Sequence, residues 1–264
     1  MKLNPIIIQR KNLQKKLWDI VRPINAQDEQ IELGAYRRDF YEECGFNLPI
    51  ELNTAPSLYR FCQSVKDKLN VQDDVWFQIQ NRVSIQGNSI VSGNDRFPSI
   101  VRLSSGAISK LTEKELSFLI GHELGHVINK DVVVLFYFDY KYGKEGAPKD
   151  LARKLKVFQL LSELEADRYG YLACGSLDTY VSFIYKSRSG LDFSTTGISI
   201  EQFLEGNHNR AKFFIDGGFM SGDTHPYDAI RIEALYIFAT SKDARELSSR
   251  MFPLVYYLDH CTLY

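Results

Sequence analysis

The sequence predicts an α+β fold, mainly helical, with a small mixed sheet placed ahead of one apolar helix. Three observations carry this expectation. Stretches with helical spacing dominate the chain before residue 70 and after residue 112. Short β-branched and aromatic runs cluster between residues 75 and 103. The segment after them opens with a helix-capping pattern and carries His122-Glu123-Leu124-Gly125-His126.

Leu13, Leu17, Ile20 and Val21 recur at helical spacing over residues 10–22, and Pro23 stops the run. This predicts an amphipathic helix that covers the core or binds a partner. Residues 26–44, with Ile31, Leu33, Tyr36, Phe40 and Tyr41, predict a second helix. Pro49 and Pro56 punctuate a connection, and residues 55–69 predict a third amphipathic helix. Strands are expected at residues 75–80, 88–92 and 99–103, with turns at Gly87 and at Gly93-Asn94. The strand at 99–103 is taken as the exposed edge, where an extended peptide pairs by main-chain hydrogen bonds. A fully paired inner strand is the alternative.

Thr112 followed by Glu115 is a capping box. Glu113 and Glu115 also suit the positive end of a helix dipole. With Leu116, Leu119, Ile120, Leu124, Val127 and Ile128 they predict a buried helix over about 113–130. Residues 132–150, aromatic and then Gly- and Lys-rich, read as an irregular excursion or hairpin. Residues 150–174 read as a long helix with Asp150 as N-cap and Gly175 as stop. Short helices are expected at 176–188 and 200–216, and a helical region at 226–251. Residues 1–54 form an N-terminal helical extension packed on a main domain of residues 55–264.

With 264 residues and a net charge of −1, the chain can bury a large core and shows no charge excess. That argues against nucleic acid or an anionic membrane as partner. Cys44, Cys62, Cys174 and Cys261 form no Cys-x-x-Cys pair, so they read as reduced core thiols. The N-terminal apolar run is too short for a signal peptide, and residues 132–138 are too few to span a bilayer. A soluble, cytoplasmic protein is expected.

His122 and His126 are four apart, one helical turn on one face. Two neutral imidazoles so placed share a tetrahedral Zn²⁺, and Glu123 beside them accepts a proton from a zinc-activated water. Ser162-Glu163-Leu164-Glu165-Ala166-Asp167 lies on the long helix. Glu163 as third ligand would complete a His₂Glu site with an open position. Asp167, one turn on, would orient a ligand histidine through its other ring nitrogen. Ala166 leaves room for another helix. Taken alone, Glu163 and Asp167 also read as a solvated face, and Glu165 reads as surface. His208 and His260 have no motif around them.

In order, His122-Glu123-Leu124-Gly125-His126, then Glu163 with Ala166-Asp167, then Thr224-His225-Pro226 with Arg231 resemble the HtpX-like zinc metallopeptidases, the group that also holds the CAAX prenyl proteases. Ser105-Gly106 and Leu111 fit as well. The resemblance spans roughly residues 55–240. It implies a zincin-like fold of the gluzincin type, one Zn²⁺ per chain, and peptide or protein substrates. It makes His122, His126 and Glu163 the ligands and Glu123 the general base. It places His225 near the substrate carbonyl oxygen and Asp167 and Arg231 in support of the site. Membrane members of this family carry transmembrane helices near the zinc helix. Here residues 131–149 hold Lys141, Lys144, Glu145 and Lys149, so a soluble peptidase is expected. The competing expectations are a zinc-stabilised peptide-binding module without turnover, and a latent enzyme whose glycine-rich segment 185–222 lies over the cleft.

Overall fold

The structure is a computed structural model and describes residues 4–22, 41–42, 44–93, 97–143, 146–218 and 221–260. The described elements are α1 (Pro5–Val21), β1 (Leu48–Pro49), α2 (Pro56–Lys68), β2 (Val75–Gln80), β3 (Gly87–Ile90), β4 (Ser99–Ser104), α3 (Ser105–Lys110), α4 (Glu113–Asn129), α5 (Asp131–Tyr142), α6 (Lys149–Cys174), α7 (Leu177–Ser189), α8 (Phe193–Thr196), α9 (Ile200–Gly217), α10 (Asp228–Thr240) and α11 (Ala244–His260). The helix expected over 26–44 falls largely outside the described residues, as do Pro23, Asn94 and Cys261.

Local chemistry sets the limits of α4. Thr112 Oγ1 accepts from Glu115 N, and the Glu115 carboxylate accepts from Thr112 N. Glu115 is buried and also receives Ser182 Oγ and Lys186 Nζ, so the cap ties α7 to the start of α4. At the other end Lys130 takes a left-handed conformation, φ 51°, and its ammonium pairs with Asp73. The chain turns there without a loop and enters α5 directly.

Residues 131–142 are therefore helical, which corrects the excursion or hairpin expected from 132–150. The run is β-branched and aromatic, and local preference alone favours extended chain. Burial of Val133, Val134, Tyr137 and Phe138 on one side settles the helix. Asp150 is not the N-cap of α6 either; Pro148 precedes the helix and offers no side-chain cap. Gly175 ends α6 as expected, with φ 74°. The region expected at 226–251 is two helices, α10 and α11.

The four-stranded sheet has the order β1-β2-β4-β3. β2 and β4 are parallel, while β1 and β3 pair antiparallel with β2 and β4. β4 is thus paired on both sides, so the expectation of an edge at 99–103 is wrong. Among the described strands the edges are β1 and β3, the latter in register Gly87 to Leu103 and Ile90 to Ile100 of β4. Every odd and even position of β4 from Ser99 to Val101 is buried, as a central strand under helices requires.

α4 packs on α6 at glycine contacts. A Cβ at Gly121 would lie 2.5 Å from Ala173 Cβ and 3.0 Å from Gly170 Cα; one at Gly125 would lie 3.0 Å from Ala166 Cα. The two backbones approach closely because both faces are nearly bare of side chain, Ala166 included. Glu165 is buried at 3% exposure and ion-paired with the fully buried Arg10 of α1, which corrects its reading as surface. No described helix is long and apolar enough to cross a membrane.

Candidate metal centre

The glycine-mediated approach of α6 to α4 brings Glu163 against the two histidines. Glu163 Oε2 lies 3.4 Å from His122 Nε2 and Oε1 lies 3.5 Å from His126 Nε2. The imidazole centroids are 5.0 Å apart at 84°. One ligand atom from each of the three residues falls within 4.8 Å of the others, and among the described residues no other group of His, Cys or carboxylate side chains does so.

The far nitrogens of both rings are held by carboxylates. His122 Nδ1 lies 3.0 Å from Asp167 Oδ1, and His126 Nδ1 lies 3.0 Å from Asp131 Oδ2. Asp167 receives Arg231 Nη2 at 2.6 Å, Arg231 Nε at 2.9 Å and the Tyr180 hydroxyl at 3.2 Å. Burial acts to raise its pKa, but Arg231 and His122 outweigh it and hold the carboxyl below the usual range. An ionised carboxylate only accepts, so the proton of His122 sits on Nδ1. In the neutral ring its Nε2 then carries the lone pair and faces Glu163, and His126 is placed alike against Asp131.

Three electron-rich atoms facing one another fit a cation. Glu163 Oε2 is buried without a hydrogen-bond partner. With protein groups alone, burial depresses both histidine pKa values. Asp167 and Glu163 outweigh it at His122, to about 9, and Asp131 and Glu163 do so at His126, to about 10. Burial raises the Glu163 pKa, but His126, His122 and His225 pull it down to about 2. Positive charge belongs at this point, and a divalent ion taking two Nε2 atoms and a carboxylate oxygen supplies it without straining the ring tautomers.

Glu123 is buried at 5% exposure on the same helix. Burial raises its pKa despite the neighbouring histidines and a hydrogen bond with Ser89 of β3, so its carboxylate is a stronger base than a surface one. Gly87 makes room for it: a Cβ there would touch Glu123 Oε1 at 3.0 Å. His225 comes from the segment between α9 and α10, half-exposed, with Nε2 3.2 Å from Glu163 Oε2. Its Nδ1 lies 2.9 Å from Thr224 Oγ1, which is 3.2 Å from Asp223 Oδ1. Lys156 of α6 holds the Asp223 carbonyl. The cleft has a volume of about 220 Å³. A larger groove of about 820 Å³ lies between α9, α10 and α11, but His208 there is exposed and pairs with Glu233.

All seven residues singled out from sequence therefore stand within one connected cluster. Asp131 was missed. Its signal is its place five residues after His126, which looks like a helix exit until Lys130 reverses the chain. Tyr180 was missed as well, since no local pattern links it to Asp167. No described residue of 185–222 lines the cleft, so the covering segment expected there is not found in its described part.

Residues 53–142 match the model of Peptidase family M48. The match takes in β2, β3, β4 and the histidine helix; β1, Glu163, Asp167, His225 and Arg231 lie outside it. A Protease HtpX homolog of Trichormus variabilis is 28% identical over 107 residues, 40% of this chain and 33% of that protein. A Protease HtpX homolog of Bordetella pertussis is 40% identical over 48 residues, 18% of this chain and 16% of that protein. Protease HtpX of Acinetobacter baumannii is 36% identical over 52 residues, 20% of this chain and 17% of that protein. The chain thus spans at most about a third of the length of these curated relatives. No solved structure gives a significant match. The resemblance to HtpX-like zinc metallopeptidases holds.

Proposed function

From that resemblance as premise, we propose that the protein is a zinc-dependent metalloendopeptidase. His122, His126 and Glu163 would hold one Zn²⁺, and Glu123 would act as general base. What supports this reading most is the convergence of two imidazole lone pairs and an unpartnered carboxylate oxygen beside a buried glutamate of raised pKa. When bound, Zn²⁺ supplies Lewis acidity, polarising the scissile carbonyl and acidifying the attacking water. Glu123 takes that water's proton and delivers it to the leaving amine. His225 donates to the developing oxyanion. Asp167, fixed by Arg231, and Asp131 hold the ligand rings in the tautomer that points Nε2 inward. An extended peptide lies along the free edge of β3, beside Glu123, pairing by main-chain hydrogen bonds.

A peptide-binding module without turnover would use the three ligands and leave a buried Glu123 without purpose. We read residues 55–264 as the peptidase domain and 1–54 as an extension on it; α1 packs against α5, α6 and α11, and β1 pairs with β2.

Glu123→Gln separates the two readings. The variant is expected to keep one zinc per chain by metal analysis and to lose cleavage of casein or a peptide library by about 10²–10⁴-fold. Undiminished proteolysis by Glu123→Gln would remove Glu123 from the base role.

A further inference from the structure

Next to the third ligand, α6 turns two more polar side chains to the cleft. Gln159, Ser162 and Glu163 stand at i, i+3 and i+4, one face of a helix, and all three line the cleft. Ser162 is 3% exposed, and its hydroxyl has no hydrogen-bond partner. A serine inside a helix ordinarily returns its hydroxyl to the carbonyl four residues back; here that would be Phe158, and the bond is not made. The Gln159 amide likewise makes no hydrogen bond among the described residues. A buried hydroxyl left unpaired is worse for stability than the alanine that would fill the same space, and a hydrogen-bonding group in the cleft would satisfy it.

The surroundings say what partner fits. Val132 and Leu135 of α5 form an apolar wall of the same cleft, half-buried. A volume of about 220 Å³ falls below the range of small-molecule pockets and suits a single side chain. The carboxylates nearby are committed: Glu163 faces the histidines, Asp131 holds His126, and Glu123 lies against Ser89. No lysine or arginine lines the cleft among the described residues. A charged substrate side chain finds no counter-charge there, whereas an amide or hydroxyl finds both a donor and an acceptor.

We infer that Gln159 and Ser162 form a specificity subsite that selects an uncharged hydrogen-bonding side chain (Asn, Gln, Ser or Thr) beside the scissile bond, its aliphatic stem against Val132 and Leu135. This rests on the peptidase reading. A site built to pair with a polar group rejects the apolar analogue strongly, because its own groups are then left unpaired.

The test uses the zinc-loaded full chain and peptides randomised on both sides of the cleaved bond, with products read by mass spectrometry. The wild type should prefer Asn, Gln, Ser or Thr over Leu or Val by at least about tenfold at one flanking position. Ser162→Ala should weaken that preference, and Ser162→Ala with Gln159→Leu should shift it to aliphatic residues at that position alone. The melting temperature of Ser162→Ala should stay level or rise; a fall would assign the hydroxyl a structural role and overturn the subsite. Wild-type cleavage with variant profiles superimposed on it would also overturn the subsite while leaving the peptidase reading intact. Absence of wild-type cleavage would overturn both.

Discussion

On the helical wall of the cleft, α4 and α6 approach at Gly121 and Gly125 closely enough that no Cβ fits between them, and the buried ionic groups there are answered. His122 meets Asp167, Asp167 meets Arg231 and Tyr180, and His126 meets Asp131. The facing wall, β3 and residues 221–227, is made differently. Asn88 and Thr224 are exposed, His225 is half-exposed, and β3 has an unpaired edge in the described sheet. On the proposed peptidase reading, the difference teaches how labour would be divided. Metal geometry needs ligands locked before the ion arrives, which packing and outer carboxylates provide. Substrate binding needs open main-chain donors and acceptors, which only a bare edge offers.

The contrast makes stability the property that separates the walls, and substitutions can break it. Asp167→Ala should have the largest effect. It leaves the Arg231 guanidinium, at 6% exposure, without its counter-charge, and it strips a partner from His122 and Tyr180. A loss of about 3–5 kcal/mol is expected, read by urea unfolding; a loss under about 1 kcal/mol would refute the idea of a locked wall.

Gly121→Ala comes next. Its Cβ would meet Ala173 Cβ at 2.5 Å and the Tyr169 carbonyl oxygen at 2.9 Å, so the helices must separate. About 1–3 kcal/mol should be lost, and zinc should compete less well against a chelator because Glu163 moves from the histidines. Unaltered zinc affinity would show that the spacing of α4 and α6 does not set the site.

Thr224→Val tests the open wall and should move stability least, within about 0.5 kcal/mol, since Thr224 is exposed. Burial lowers the His225 pKa, with Glu163 opposing it, which favours the neutral ring. Thr224 Oγ1, 2.9 Å from Nδ1, sets the orientation of the ring toward the site. Losing that bond should lower kcat about tenfold, the net worth of one hydrogen bond, and Thr224→Ser should restore it. A fall in stability with kcat unchanged would make Thr224 part of the locked wall instead.

Much of the site is legible in the sequence because helical periodicity carries it. The spacing of His122 to His126 and of Glu163 to Asp167 places each pair on one face before any fold is known. Thr112, Glu115 and Gly175 mark helix ends by local hydrogen bonding and backbone conformation. Other features have no local signature. Whether β3 or β4 is the edge depends on strand order, and strands of similar composition serve as either. The burial of Glu165 depends on Arg10, which lies 155 positions away in sequence. The helix at 131–142 was hidden because its residues favour extended chain when read alone.

The sequence by itself determined which candidate residues share a helical face and which helices present them, since both follow from spacing and capping within a few residues. Only the tertiary structure decided that Asp131 answers His126, that Tyr180 joins Arg231 on Asp167, and that β3 rather than β4 faces the cleft. Those outcomes come from contacts between distant segments, where backbone approach at glycines and the pairing of buried charge select one arrangement among many that the local pattern allows.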